Sequence, residues 1–225
     1  MKRRIKIFID IAMLVLFLYL MSYHPGMGLM LHALLGITLF ILFIVHHVLN
    51  RFWFKTLFKG KYNLRRSLLC MTNVALLLAM LLMMISSLQI SGMVFDISFL
   101  PLRFYWRNIH VASTAWGFII ISLHLGLHLH GQIVKFKTKH PGRLSSISLH
   151  TLEILFLTGG AYSLINSGLW LNLRMIPESL PPLPMWRFYL EYTTMILACC
   201  IISHYLLIII TKRNGNKPIR LKKPL

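Results

Sequence analysis

The sequence predicts an all-α, polytopic membrane protein of six transmembrane helices built around a four-helix core, with both termini cytoplasmic. Three observations carry this. The 225 residues are 57% hydrophobic and 13% charged, with a mean hydropathy of +0.70, a balance outside the range of ordinary soluble domains. Six runs without Lys or Arg come close to or exceed the roughly 20 apolar residues that a helix needs to cross a bilayer. The basic residues, finally, fall between those runs with the sidedness of membrane loops.

The first run, Ile7 to Tyr23, follows Lys2, Arg3, Arg4 and Lys6. No small-residue cleavage site closes it, so a retained span is expected rather than a secretory signal. Ser22-Tyr23-His24-Pro25-Gly26 reads as a tight turn into the second run, Leu29 to Asn50. The third is Leu68 to Ser91, the fourth Ile109 to Leu129, the fifth Ile147 to Ile165 and the sixth Tyr189 to Ile210. The longest loops are Gly92 to Asn108 and Asn166 to Phe188. Pro177, Pro181, Pro182 and Pro184 in the second of these predict a stiff, extended cover with no helix. The first two hairpins carry paired histidines on their second helix and the last does not. The expected division is therefore a core at 1–130, an added transmembrane hairpin at 131–212 and a basic tail at 213–225.

A net charge of +19 in a soluble chain would suggest nucleic acid. Its placement points elsewhere. Lys and Arg number four before the first run, six from Arg51 to Arg66, four from Lys135 to Arg143 and six from Lys212 to Lys223. The opposite side holds Arg103, Arg107, Arg174 and Arg187. This is the positive-inside pattern of a plasma or inner membrane protein, and anionic lipid headgroups, not nucleic acid, are the expected partners. Phe52, Trp53 and Phe54 mark the inner surface, and Tyr105, Trp106, Trp170, Trp186 and Tyr189 the outer one. Cys70, Cys199 and Cys200 lie inside apolar runs and read as buried apolar residues. The absence of C-x-x-C-H excludes covalent haem attachment, and without G-x-G-x-x-G or a P-loop the chain lacks the usual nucleotide cradles.

The chemistry rests on histidines. His32 and His46 in the second run are 14 residues apart, as are His110 and His124 in the fourth. On a helix that step falls about 40° short of four whole turns and rises about 21 Å, so each pair shares a face with one member near each membrane surface. The two helices run parallel, which sets His32 opposite His110 and His46 opposite His124. Each facing pair offers two imidazole nitrogens to one iron and leaves no open position, the ligation of an electron-transfer b-type haem. His47, 15 residues from His32, and His128, 18 from His110, are alternates. Gly36 and Gly117 on the same faces give room for porphyrin edges or, equally, for close helix packing. Arg51 at the inner end and Arg103 or Arg107 at the outer end are candidate partners for haem propionates, or plain headgroup contacts. His150 and His204 are placed to bond a quinone headgroup or to serve structure. His24, His130 and His140 read as solvated. Asp10, Glu153 and Glu191 could accept a quinol proton, although capping or ion pairing, for instance Asp10 with Lys6, suits them as well. Two other readings of the histidines stand beside haem: helix-end polar groups, and a zinc-type site using His124 and His128 at i and i+4.

At these residues the chain resembles a known family. Lys2-Arg-Arg-Ile-Lys-Ile-Phe-Ile-Asp10, Leu31-His-Ala-Leu-Leu-Gly36, Val45-His-His-Val-Leu-Asn-Arg-Phe-Trp53, Phe58-Lys-Gly-Lys-Tyr62, and His110 through Trp116-Gly117 to Leu123-His-Leu-Gly-Leu-His128 are similar to the flavinylation-associated cytochromes. The likeness covers about residues 1 to 130 and leaves the last hairpin unassigned. It implies transmembrane electron transfer through two b-type haems toward an extracytosolic flavoprotein, with the membrane quinone pool as donor and no catalytic side-chain set of its own. The contrasting expectation, from another class, is a non-redox transporter or scaffold subunit with a histidine metal site.

Overall fold

The computed structural model describes residues 2–91, 103–139, 142–176 and 183–213, and all regular structure among them is helical. α1 spans Lys2–Met21 and α2 Leu29–Leu49, joined by a single 3-10 turn at Pro25–Met27. Gly28 takes φ 69° between that turn and α2, a conformation glycine adopts without the Cβ clash. A short α3, Phe52–Thr56, follows α2, and after it come α4 at Leu64–Ile90, α5 at Arg103–Lys139 and α6 at Arg143–Asn166. α7 is a five-residue helix, Leu169–Leu173, and α8 runs Met185–Arg213.

Four of these helices, α2, α4, α5 and α8, are long and apolar enough to cross a membrane, which makes the chain a multi-pass membrane protein. The expected first and fifth spans fold as helices of 20 and 24 residues and are not among those four. α1 carries Arg3, Arg4, Lys6 and Asp10 in its first half, and α6 holds Glu153 and His150. The fourth span is longer than its apolar run: α5 has 37 residues, roughly 55 Å at 1.5 Å per residue, well beyond a hydrocarbon core of about 30 Å.

The expectation of no helix between 166 and 188 is corrected by α7. The proline-free stretch before Pro177 is free to turn, and Gly168 at φ 72° lets the chain enter it. Pro177, Pro181 and Pro182 lie outside the described residues, as do most of the expected loop from Gly92, His140, and the tail beyond Arg213. Pro184 sits immediately before α8 and its carbonyl accepts the Phe188 N–H at 2.9 Å, the helix-start position where a missing N–H costs nothing.

Side chains are distributed inside out. Leu34, Ile37, Ile41, Ile44 and Val48 form an exposed stripe at helical spacing on α2, and Met71, Val74, Leu78, Leu82 and Ile85 do so on α4. Ser86, Gln89, Ser113, Ser122, Ser163, Ser203 and His204 are buried. Lipid is the solvent such stripes require, and polar groups at membrane depth retreat from it.

The chain divides into two compact units, one made of Met1–Lys61, Leu77–Gly117 and Ser167–Leu190, the other of Tyr62–Leu76, Phe118–Asn166 and Glu191–Leu225. The division cuts α4, α5 and α8. In the first unit α1 packs on α2, and Trp116 Nε1 donates to the Leu173 carbonyl at 3.1 Å, fastening α7 to α5. In the second, glycines set the helix approach: a Cβ on Gly126 would lie 2.6 Å from Cys200 Cα, and one on Gly160 2.5 Å from Ala198 Cβ. Neither glycine stood out in the sequence as a packing position.

Candidate functional site

α2 carries His32 in its first turn and His46 in its last, and α5 carries His110 two turns from its start. In the first unit His32 and His110 face one another, with ring centroids 6.3 Å apart and planes at 74°. Two imidazoles ligating one metal from opposite sides, with metal–nitrogen bonds of about 2.0 Å, hold their centroids roughly 6 Å apart. Rotation about each metal–nitrogen bond leaves the angle between the rings free.

Hydrogen bonding fixes which nitrogen of His110 is available. Ser87 Oγ donates to the Met83 carbonyl at 2.7 Å and Ser86 Oγ to the same carbonyl at 2.9 Å, so both hydroxyls have spent their protons. They can only accept from His110 Nδ1–H, at 3.1 Å for Ser87 and 3.4 Å for Ser86, with the Met83 carbonyl at 3.3 Å. Nε2 is left as a lone pair. His32 Nδ1 is buried with no hydrogen-bond partner, and the Tyr23 ring stands edge-on to His32 at 5.1 Å.

A cavity of about 380 Å³ opens beside this pair. Its walls include both histidines, Phe17, Leu20, Phe40, Met83 and Thr114, apart from a few hydroxyls an apolar lining. Gly36 lies on this wall, and a Cβ added there would meet nothing within 4 Å. Gly117 has a packing environment instead: a Cβ there would sit 3.7 Å from Phe17 Cζ and 4.0 Å from Ala79 Cβ.

At the other end of α2, His46 Nδ1–H donates to Asp10 Oδ1 at 2.7 Å. Asn50 Nδ2 donates to the His46 carbonyl at 3.0 Å and stands 3.5 Å from His46 Nε2, too far for a well-formed bond. Nε2 of His46 is therefore the nitrogen with ligating capacity. The neighbouring His47 turns its Nδ1–H back to the Phe43 carbonyl at 2.9 Å and packs between the Phe43 and Phe54 rings, at 4.2 and 5.8 Å. Asp10 does not pair with Lys6: Lys6 Nζ reaches Asn50 Oδ1 at 3.0 Å, leaving the carboxylate to the imidazole. Arg51 is exposed, its guanidinium 5.9 Å from the Phe52 ring centroid. Arg107 is exposed one turn before His110, while the Arg103 side chain lies outside the described residues.

The second unit holds His124 and His128, rings 4.5 Å apart on successive turns of α5. Among the described residues no group of three or more His, Cys, Asp or Glu side chains comes together to hold a metal ion. Glu153 is engaged in ion pairing, with Lys137 Nζ at 2.7 Å, His150 Nδ1 at 3.0 Å and the Tyr205 hydroxyl at 2.7 Å. His130 is not solvated: its ring lies 4.8 Å from that of buried His204, and His130 Nδ1 and both His204 nitrogens are buried without hydrogen-bond partners. Glu191 is buried near the start of α8. His24 Nδ1 lies 3.1 Å from the Ser22 carbonyl. Cys70 and Cys199 are half-buried and Cys200 is buried, all as free thiols.

Two features of the site were out of reach of spacing arguments. Asp10 is 36 residues from His46 in sequence, and the Ser86–Ser87 acceptors are 24 and 23 residues from His110. An acid inside an apolar run is a signal in its own right, yet nothing local names its partner. Compared with known proteins, the chain matches no family model, no curated protein and no solved structure.

Proposed function

We propose that this chain is a transmembrane electron conduit that binds two b-type haems through paired histidines. The observation that carries the reading is the facing of His32 and His110 at 6.3 Å beside an apolar cavity of about 380 Å³. The residues suit the group. The available Nε2 of His110, the unpartnered His32 and the bare wall at Gly36 supply opposed nitrogens and space for a flat macrocycle. The inner site keeps the ligands that the 14-residue steps assign to it, His46 and His124. His46 is preferred over His47 because a carboxylate, rather than its own helix, holds its Nδ1–H.

When bound, haem supplies one-electron redox chemistry with no bond to substrate. The chain's own residues orient the ligands and keep water out. Ser86, Ser87 and Asp10 would hold imidazole tautomers, the apolar cavity walls would pack against the macrocycle, and Arg107 and Arg51 are candidates to pair with its propionates. The six-span topology with cytoplasmic termini in a plasma or inner membrane belongs to this reading. So do a quinol of the membrane pool as electron donor and an extracytosolic flavoprotein as acceptor, which rest on the resemblance of residues 1 to 130.

The test is optical. Protein expressed with haem supplementation and purified in detergent should show a Soret band and a dithionite-reduced α band at two haems per chain. A colourless preparation overturns the proposal. His110→Ala should lose about half of the haem, since one of two sites loses a ligand; retention of all of it means that His32 and His110 are not an axial pair.

A further inference from the structure

The two histidines that face one another in the first compact unit are held in different ways. His110 lies two turns inside α5, and its backbone carbonyl accepts from Ser113 Oγ at 3.0 Å and Thr114 Oγ1 at 2.7 Å. Its Nδ1–H has three acceptors on α4: Ser87 Oγ at 3.1 Å, the Met83 carbonyl at 3.3 Å and Ser86 Oγ at 3.4 Å. His32 sits in the first turn of α2, close behind Gly28 at φ 69°. Its backbone N–H reaches the Gly28 carbonyl at 3.2 Å, and its Nδ1 has no hydrogen-bond partner among the described residues. The ring rests on packing, edge-on to Tyr23 at 5.1 Å, and Tyr23 is itself exposed.

A hydrogen bond to the far nitrogen of a ligating imidazole fixes the ring and raises its basicity, and its loss costs roughly 10–100-fold in metal affinity. His110 has that support and His32 lacks it. The end of a helix also opens at far lower cost than its interior. We infer that His32 is the exchangeable ligand of the outer site, so that a small uncharged diatomic of the carbon monoxide class binds there in its place while His110 stays bound. This rests on the haem reading of that site given above. The apolar cavity wall suits an uncharged ligand, and two atoms need less room than the imidazole they replace. The exchange breaks the bond to the His32 nitrogen, whose electron pair stays on the imidazole, and makes one to the carbon of carbon monoxide with that molecule's own pair. No oxidation state changes and no proton moves.

The test mixes the haem-loaded, full-length protein, reduced with dithionite in detergent, with carbon monoxide. In the wild type the Soret band of one haem per chain should shift, at a rate that climbs with carbon monoxide concentration and then levels off where departure of His32 becomes limiting. His32→Ala should keep the wild-type haem content, in contrast to the loss expected of His110→Ala, and its rate should rise in proportion to carbon monoxide with no plateau. His110→Ala should lose the reactive fraction. Should His32→Ala fail to fold by circular dichroism, the wild-type rate profile and His110→Ala decide together. A folded His32→Ala that sheds as much haem as His110→Ala overturns the inference, because the two ligands then hold equally. So do a haem-loaded wild type that does not react, a plateau that survives in His32→Ala, and a reactive fraction that survives in His110→Ala with its haem reduced. Each of these leaves haem binding itself intact. A colourless preparation overturns both.

Discussion

At Gly36 the missing side chain has a measurable consequence. The residue lies one turn from His32 on a cavity wall, and the space a Cβ would enter is open. Gly36→Leu would therefore fold without a backbone clash, and its isobutyl group would occupy the volume in which the proposed outer haem sits. The expected outcome is unchanged helix content by circular dichroism with reduced haem at one site, the His46 site being spared. Gly36→Ala, one methyl in the same space, should bind nearly normally. The histidine spacing was legible in the sequence because a helix converts number into angle and height without outside help. The Asp10–His46 bond was not, because it depends on α1 lying against α2 in one particular register. Ser86 and Ser87 were hidden for a further reason: serines are common in membrane helices, where they satisfy themselves on the preceding turn, as both do here through Met83.

Among the elements, α8 is the one whose packing the glycines decide. Gly126 on α5 and Gly159 and Gly160 on α6 each lie against α8 side chains or backbone closely enough that a Cβ would meet an atom at 3.0 Å or less. Small residues are what permits such approach in a membrane, where no hydrophobic drive separates helix from lipid. Gly126→Ala forces a methyl onto the Cys200 backbone, which cannot swing away as a side-chain tip could. Its cost is expected at about 1–3 kcal/mol, the range for overpacking. A lowered thermal midpoint in detergent reports it, with Gly131→Ala as control because nothing lies within 4 Å there. Helix positions were readable from hydropathy to within a few residues for α2 and α4. The extent of α5 was not, since its polar ends carry helix formers and His and Lys outside the apolar run, and nothing in Asn108 or His130 stops a helix. The short α3 and α7 escaped because five residues are too few to show a period.

For the whole molecule, the distribution of charge is the feature with the furthest reach. Twenty Lys and Arg fall in the segments assigned to the cytoplasm and four in those assigned to the other side, and only five acids are available to offset them. Retaining a loop of several cations on the inner side is favoured by both the membrane potential and anionic lipid, each cation near the surface contributing about 1 kcal/mol. The strongest discrimination comes from the segments between α2 and α4 and between α5 and α6, short enough for the positive-inside rule to govern them. Fusion of a reporter active only in the cytoplasm after the last residue should give signal, and fusion of one active only outside the cytoplasm should give none. The same external reporter inserted after Ser91 should be active. α1 and α6 are the helices this experiment decides, because charged side chains interrupt them and they are not among the four candidate spans α2, α4, α5 and α8. If either lies along the surface instead of crossing, the helices after it invert: the fusion after the last residue changes side in both cases, and the insertion after Ser91 changes side only when α1 is the helix that does not cross. Inversion before Leu29 would also place the His46 end of α2, with Asp10, on the outer face.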